Sequence, residues 1–222
     1  MTDVFDGRRA LPGLAFPEEH LRRLADDLAV RFDGIFAVET VERYVLESYT
    51  DLLRTARVRA HLEQATIRFA TDRLTALAQA KGELPHDVPE VLFVCEQNSG
   101  RSQMAAALTA VMGGSLVHVR SAGSSPASEL NSAVVLALLE MDVDVTHEFP
   151  KPLTDDVVQA ADVVITMGCG DACPVYPGKR YLDWALADPA DQSIHEVRDI
   201  RDEIIEHVRD LLADLGIESR EP

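Results

Sequence analysis

Val91-Leu92-Phe93-Val94-Cys95-Glu96-Gln97-Asn98-Ser99-Gly100-Arg101-Ser102-Gln103-Met104-Ala105-Ala106-Ala107-Leu108 is the stretch whose reading decides the fold. Four apolar residues read as a buried strand, the polar residues after Cys95 as a loop, and the run from Gln103 as a helix of good formers. A helix N-terminus leaves N–H groups unpaired and carries positive partial charge, so a loop wrapped onto it can cradle a tetrahedral oxyanion. Arg101 adds a planar fork for two oxygens. A cysteine at the loop base shares that positive field, and thiols so placed have pKa values lowered to roughly 3.5–7.5. The spacing therefore predicts Cys95 as a thiolate beneath the anion, with Ser102 donating to the sulfur and the amides of Glu96, Gln97, Asn98, Ser99 and Gly100 joining Arg101 around the oxygens. The competing reading makes Cys95 an inert strand-end cysteine and Arg101 a surface residue. The strand, the Gly- and Ser-bearing loop and the helix in that order argue against it.

Outside this stretch, composition sets bounds. The chain has 222 residues, 46% of them hydrophobic, with mean hydropathy −0.04. That fits an ordinary globular protein of one large or two modest domains. No run approaches the roughly 18 apolar residues of a membrane span, and the acidic N-terminus lacks a signal peptide's apolar core; a cytoplasmic location is expected. The net charge of −17 is uneven: residues 1–86 carry 12 basic and 14 acidic side chains, and residues 87–222 carry 9 and 24. Such a surface repels nucleic acid and anionic membranes. An anionic substrate must then be held by local donors against the general field.

Helical periodicity organises residues before the central stretch. Leu21, Leu24, Leu28 and Phe32 share one face, ending at Asp33-Gly34. Val41, Val45, Tyr49, Leu52 and Leu53 share a second face. Leu62, Ala65, Phe69, Leu74 and Leu77 lie on a third helix, expected from about Val58 to Lys81, with Gly82 as its C-cap. The expectation is an all-α three-helix bundle with a leader over 1–84, a Pro-bearing linker over 85–90, and a second domain over 91–222. In that domain Leu116–Val119, Val163–Thr166 and Tyr181–Trp184 read as further strands, and Ser121-Ala122-Gly123 as a turn. Asn131–Met141, a short Thr154-capped segment to Ala160 and Ile194–Leu215 read as helices. Strands alternating with helices predict an α/β domain, its parallel sheet covered on both faces. Sites on such sheets form beyond the C-terminal strand ends, which would bring together Cys95, Cys169 and Asp188 from three separate loops.

Three cysteines in a chain of this kind, Cys95, Cys169 and Cys173, exclude a disulfide framework and leave redox, nucleophilic or metal chemistry. Cys169 and Cys173 stand four apart in Met167-Gly168-Cys169-Gly170-Asp171-Ala172-Cys173-Pro174. At helical spacing their Cβ atoms would be about 5–6 Å apart, while a disulfide needs about 3.5–4.5 Å; Gly168 and Gly170 supply backbone freedom to close the difference. Zinc on this pair would need histidines, but His118 and His147 show no companion spacing, so no metal is expected. An inert pair is the other alternative. Asp188, in the loop after the fourth strand, is placed to protonate a leaving oxygen. His118, His147 and His195 read as surface or satisfied core residues, and Trp184 as packing.

Residues 88–222 closely resemble the arsenate reductases built on the low-molecular-weight protein tyrosine phosphatase fold. The resemblance rests on Cys95 through Ala105, Ser121-Ala122-Gly123, Thr166-Met167-Gly168-Cys169, and Trp184 with Asp188-Pro189. Residues 15–82 are similar to a helical extension of some actinobacterial members. The resemblance implies a four-stranded parallel sheet flanked by helices and a reaction with no bound cofactor. In that reaction Cys95 attacks arsenate, Arg101 and the loop amides hold the oxygens, Ser102 tunes the thiolate and Asp188 protonates the departing hydroxide. Cys169 then attacks Cys95, releasing arsenite, and Cys173 attacks Cys169. Thioredoxin reduces the resulting Cys169–Cys173 disulfide. Two departures are visible. Thioredoxin-coupled relatives usually separate the last two cysteines by more than three residues. Some relatives also bind potassium through an asparagine matched by Asn98 and a glutamate whose place is taken by Ala106, so no potassium site is expected. Mycothiol with mycoredoxin is the reductant of some actinobacterial relatives, which generally lack the paired thiols.

Two other functions compete. A phosphatase acting on phosphotyrosine or a small phosphomonoester would use Cys95, Arg101 and Asp188 but neither Cys169 nor Cys173, and Asp188-Pro189-Ala190-Asp191 lacks the aromatic neighbours common beside the acid of such enzymes. An arsenic-responsive or partner-binding module would make the bundle the working part, through a protein contact or dimerisation. Phosphate and sulfate are the expected competing anions.

Overall fold

The computed structural model of the chain describes residues 17–56, 61–168 and 175–222. Three helices come first: α1 (Pro17–Arg31), α2 (Val38–Thr55) and α3 (Leu62–Ala80). They share one apolar core, in which Leu21, Leu28 and Phe32 meet Val41, Val45 and Tyr49 of α2 and Phe69, Ala70 and Leu74 of α3. The faces are those expected from periodicity. The expected start of α3 near Val58 lies outside the described residues; its far end closes as expected, with Gly82 at φ +74 following the last turn in the left-handed conformation that glycine adopts without strain.

The second part is an α/β unit. Its strands are β1 (Glu90–Cys95), β2 (His118–Gly123), β3 (Val163–Met167) and β4 (Arg180–Asp183), and its helices are α4 (Arg101–Gly113), α5 (Ser132–Leu139), α6 (Asp155–Ala160) and α7 (Ile194–Asp214). All strand pairs are parallel, in the order β2-β1-β3-β4. Every residue of β1 is buried, as a central parallel strand with both faces covered requires. Val91 and Phe93 face α4, α5 and α7 in the larger core. Leu92, Val94 and Val164 face the opposite way, onto Val157 and Val158 of α6 and Ala76 of α3. One helix of the N-terminal bundle thus helps cover the sheet.

Two local expectations are corrected. Ser121-Ala122-Gly123 is not a turn but the end of β2, paired with Phe93, Val94 and Cys95; its small polar residues resemble turn composition, yet their backbone groups are taken by the ladder. Thr154 stands at the N-cap of α6 without capping it: its Oγ1 is buried with no hydrogen-bond partner. The first turn of α6 instead presents Asp156 to Arg73 of α3 at 3.2 Å.

Polar contacts complete the seam. Arg73 also donates to Ser48 and Glu47. Arg120 of β2 donates to Glu90 Oε2, to the Asp72 carbonyl and to Gln79 Oε1, and Gln79 donates to Glu90 Oε1. Among the described residues no helix is long and apolar enough to cross a membrane.

Candidate functional site

The register of the sheet assembles the site. Cys95 at the end of β1 lies opposite Gly123 of β2 and Met167 of β3, so three strand ends share one edge. The loop from Glu96 to Gly100 rises from that edge and feeds α4. Its carbonyls are drawn outward: those of Cys95, Glu96, Gln97 and Ser99 accept from the backbone N–H groups of Ser124, Ser125, Ala127 and Asn131. The main-chain N–H groups of Glu96, Gln97, Ser99, Gly100 and Arg101 take no partner among the described residues, which leaves them as donors for an oxyanion at the positive end of α4.

Cys95 is a free thiol, 2% exposed. Its Sγ receives the Asn98 N–H at 3.2 Å and lies 2.9 Å from Ser102 Oγ. Asn98 Nδ2 donates to that same Oγ at 2.8 Å. Because the amide nitrogen can only donate, the serine oxygen accepts from it, and the hydroxyl's one proton is free for the sulfur. Asn98 itself has φ +49, an uncommon conformation for a residue other than glycine.

Arg101 and Asp188 meet across the mouth of the loop. Arg101 Nη2 donates to Asp188 Oδ2 at 2.6 Å, and Ala190 N–H donates to Asp188 Oδ1. The acid's loop is seated by Gly100, where an added Cβ would lie 2.6 Å from Pro189 Cγ. Asn131, the N-cap of α5, accepts from Ala133 and Val134 and donates to the Pro189 carbonyl. Gly123 is constrained likewise: a Cβ there would meet the Glu96 carbonyl at 2.7 Å.

Of the residues expected at the site, the structure brings together Cys95, the loop from Glu96 to Gly100, Arg101, Ser102 and Asp188. Cys169 and Cys173 lie outside the described residues. The described chain ends before them at Gly168, with φ +72 and an added Cβ 3.0 Å from Arg101 Nη1. Trp184 packs between Phe93 and His207. His118 pairs with Glu90 and His195 contacts Arg198. No cluster of three or more metal-ligating side chains occurs among the described residues. Sequence reasoning missed Asn131, Gln103 and Gly123 as parts of the site. Asn131 carried a signal, a capping residue before an apolar run; Gln103 and Gly123 carried none beyond their place in the quoted motifs.

Residues 90–221 match the low molecular weight phosphotyrosine protein phosphatase family, and residues 21–78 match the protein-tyrosine-phosphatase-like N-terminal domain. A thioredoxin-dependent arsenate reductase of Corynebacterium glutamicum is 48% identical, with a TM-score of 0.82, over 90% of this chain and 98% of that one. An arsenate reductase of Bacillus cereus is 36% identical over 118 residues, 51% of this chain and 87% of its own length. A solved arsenate reductase in its phosphate-binding state is 30% identical over 58% of this chain and 99% of that one, with a TM-score of 0.50.

Proposed function

The chain belongs to the low molecular weight phosphotyrosine protein phosphatase family and, within it, to the arsenate reductases; from that premise we propose that it reduces arsenate to arsenite by a three-cysteine relay recycled by thioredoxin. The observation that carries the reading is Cys95 Sγ held by Ser102 and Asn98 at the base of a loop whose amides, Asn98 excepted, are unpartnered among the described residues and which leads into Arg101. A thiolate under a tetrahedral oxyanion is aimed at its central atom, and prior positioning supplies much of the rate.

Cys95 attacks arsenic. An As–S bond forms as an As–O bond breaks, and the oxygen leaves as water with a proton from Asp188. Arg101 and the amides of Glu96 through Gly100 bind the remaining oxygens. Cys169 then attacks Cys95 Sγ. The S–S bond forms as the As–S bond breaks, its electron pair stays on arsenic, and arsenic leaves reduced from As(V) to As(III). The Cys173 thiolate attacks Cys169, forming the Cys169–Cys173 disulfide and freeing the Cys95 thiolate. The thioredoxin dithiol returns two electrons and two protons. The full-length likeness to a thioredoxin-dependent enzyme supports that reductant over mycothiol. Phosphate and sulfate, which share arsenate's shape and charge, compete for the cradle.

Incubation of the reduced protein with arsenate, followed by disulfide mapping by mass spectrometry, tests the reading. The expected products are arsenite and a Cys169–Cys173 disulfide in equal amounts. A protein that keeps all three thiols reduced while hydrolysing a phosphomonoester is a phosphatase instead.

A further inference from the structure

The helical bundle touches the anion loop through one segment. Phe149, between α5 and α6, is half-buried and packs against the bundle's apolar core rather than the sheet's. Arg68 of α3 holds the same segment: its guanidinium lies 5.6 Å from the Phe149 ring centroid, donates to the His147 carbonyl, and pairs with Glu148 Oε1 at 2.9 Å. Lys151 Nζ donates to Glu148 Oε2 and lies over the same ring. The segment is therefore fastened to α3 by a half-buried ring and a charged clamp.

The backbone of that segment reaches the nucleophile through two side chains. Gln103 Nε2 donates both to the Phe149 carbonyl at 3.0 Å and to Asn98 Oδ1 at 3.1 Å. Lys151 N–H donates to the same Asn98 Oδ1 at 2.8 Å. Gln103 is 2% exposed and Asn98 fully buried. A left-handed asparagine persists only where its surroundings over-determine it, and here both bonds accepted by its carbonyl depend on the segment and on Gln103. Asn98 in turn supplies two contacts: its N–H goes to Cys95 Sγ, and its Nδ2 goes to Ser102 Oγ.

We propose that Gln103 and Phe149 are positioning residues through which the N-terminal bundle holds Asn98, and so the Cys95 thiolate, in its reactive arrangement. The inference rests on Cys95 being the nucleophile. It assigns the bundle a job inside the chain: it is the anvil against which the anion loop is set. Loosening Phe149 releases the Phe149 carbonyl and Lys151 N–H together. Asn98 then loses its hold, and the sulfur loses the N–H that Asn98 donates to it.

The test uses the full chain with Cys169→Ser and Cys173→Ser, so that Cys95 is the one thiol, and follows its alkylation by iodoacetamide against pH. Phe149→Ala empties a place in the bundle core. Gln103→Met keeps the side chain's length and removes its donors. Each is expected to move the alkylation midpoint up by about half a pH unit or more, roughly threefold in the ionisation constant. Phe149→Leu, which refills the place, restores most of the shift. Both changes together give no more than the larger single shift, because they break one chain of contacts. Profiles that coincide with the parent protein, or shifts that add, overturn the proposal even if the variants melt at lower temperature. Should Phe149→Ala fail to fold, Arg68→Met takes its place with the same outcomes. Failure of the reductase reading would show separately, as no arsenite from the three-cysteine parent chain with arsenate and thioredoxin.

Discussion

Arg101 Nη2 and Asp188 Oδ2 are joined at 2.6 Å. The group proposed to bind the oxyanion and the group proposed to protonate its leaving oxygen thus hold one another. Arg101 is mostly buried, whereas the Asp188 side chain is 56% exposed. An incoming anion must take the guanidinium from a carboxylate that water can readily receive, so the exchange is favoured by solvation of the released partner.

Asp188→Asn separates the two roles. Reduction of arsenate is expected to slow by roughly 10²-fold or more, the usual contribution of a positioned general acid. Inhibition by phosphate should be unchanged or stronger, because Arg101 loses its competing carboxylate. Steady-state rates with phosphate as competitor read both effects, and weaker phosphate inhibition would count against the competition.

The cysteines divide the relay into countable steps. Cys95→Ser should release no arsenite. Cys173→Ser should release one equivalent per chain and stop with Cys95 joined to Cys169. Arsenite counted in a single turnover, with peptide mapping of the trapped disulfide, distinguishes these outcomes; sustained thioredoxin-driven cycling by Cys173→Ser would sink the third step.

Gly100 admits the acid's loop at close range. Gly100→Ala places a methyl where Pro189 Cγ now lies 2.6 Å from the ideal Cβ position, so the Asp188 loop must shift. A displacement of about 1 Å is enough to cost roughly 10²-fold in rate. The melting temperature should fall as well, since Gly100 and Pro189 are both buried and the methyl overpacks their contact. A normal rate with arsenate would show that the loop can move without harm.

Glu90 anchors the seam between bundle and sheet and gives a pH signature. Burial pushes its carboxyl upward, but the His118 hydrogen bond together with the charge and hydrogen bond of Arg120 outweighs burial and holds it at about 2. A carboxyl lowered in the folded state contributes stability above its unfolded value, near 4.5; that contribution is lost as pH falls toward the folded value. Glu90→Gln should destabilise the protein at pH 7 by about 3 kcal/mol, because Arg120 keeps a buried charge without its partner. It should also flatten the acid limb between about pH 4.5 and 2. Urea melts across that range check both expectations, and an acid limb parallel to the parent's would remove Glu90 as its source.

The strand, anion loop and helix from Glu90 to Gly113 were legible because one continuous piece of chain builds them. Cys95, the loop amides, Arg101 and Ser102 are near neighbours in sequence, and their chemistry follows from local spacing. The faces of α1 and α2 were legible for the same reason: helical periodicity is a local property. Asp188 was found by a topological rule, that parallel strands end at one edge.

Gln103, Asn131 and Gly123 could not be found that way. Gln103 acts through the Phe149 carbonyl, 46 positions away, and Asn131 through the Pro189 carbonyl, 58 positions away. Gly123 is required by the Glu96 carbonyl across a strand pair, which is also why Ser121-Ala122-Gly123 imitates a turn while lying in β2. The placement of α3 belongs with them. Its Phe69 face serves the bundle and its Ala76 face the sheet, and periodicity reveals an apolar face without naming what it will meet. By itself the sequence determined the helices and the place of Cys95 at the base of a loop feeding α4, since these depend on neighbours in the chain. Only the tertiary structure decided what holds that loop in shape, since those hydrogen bonds and close contacts join residues that meet only once the chain has folded.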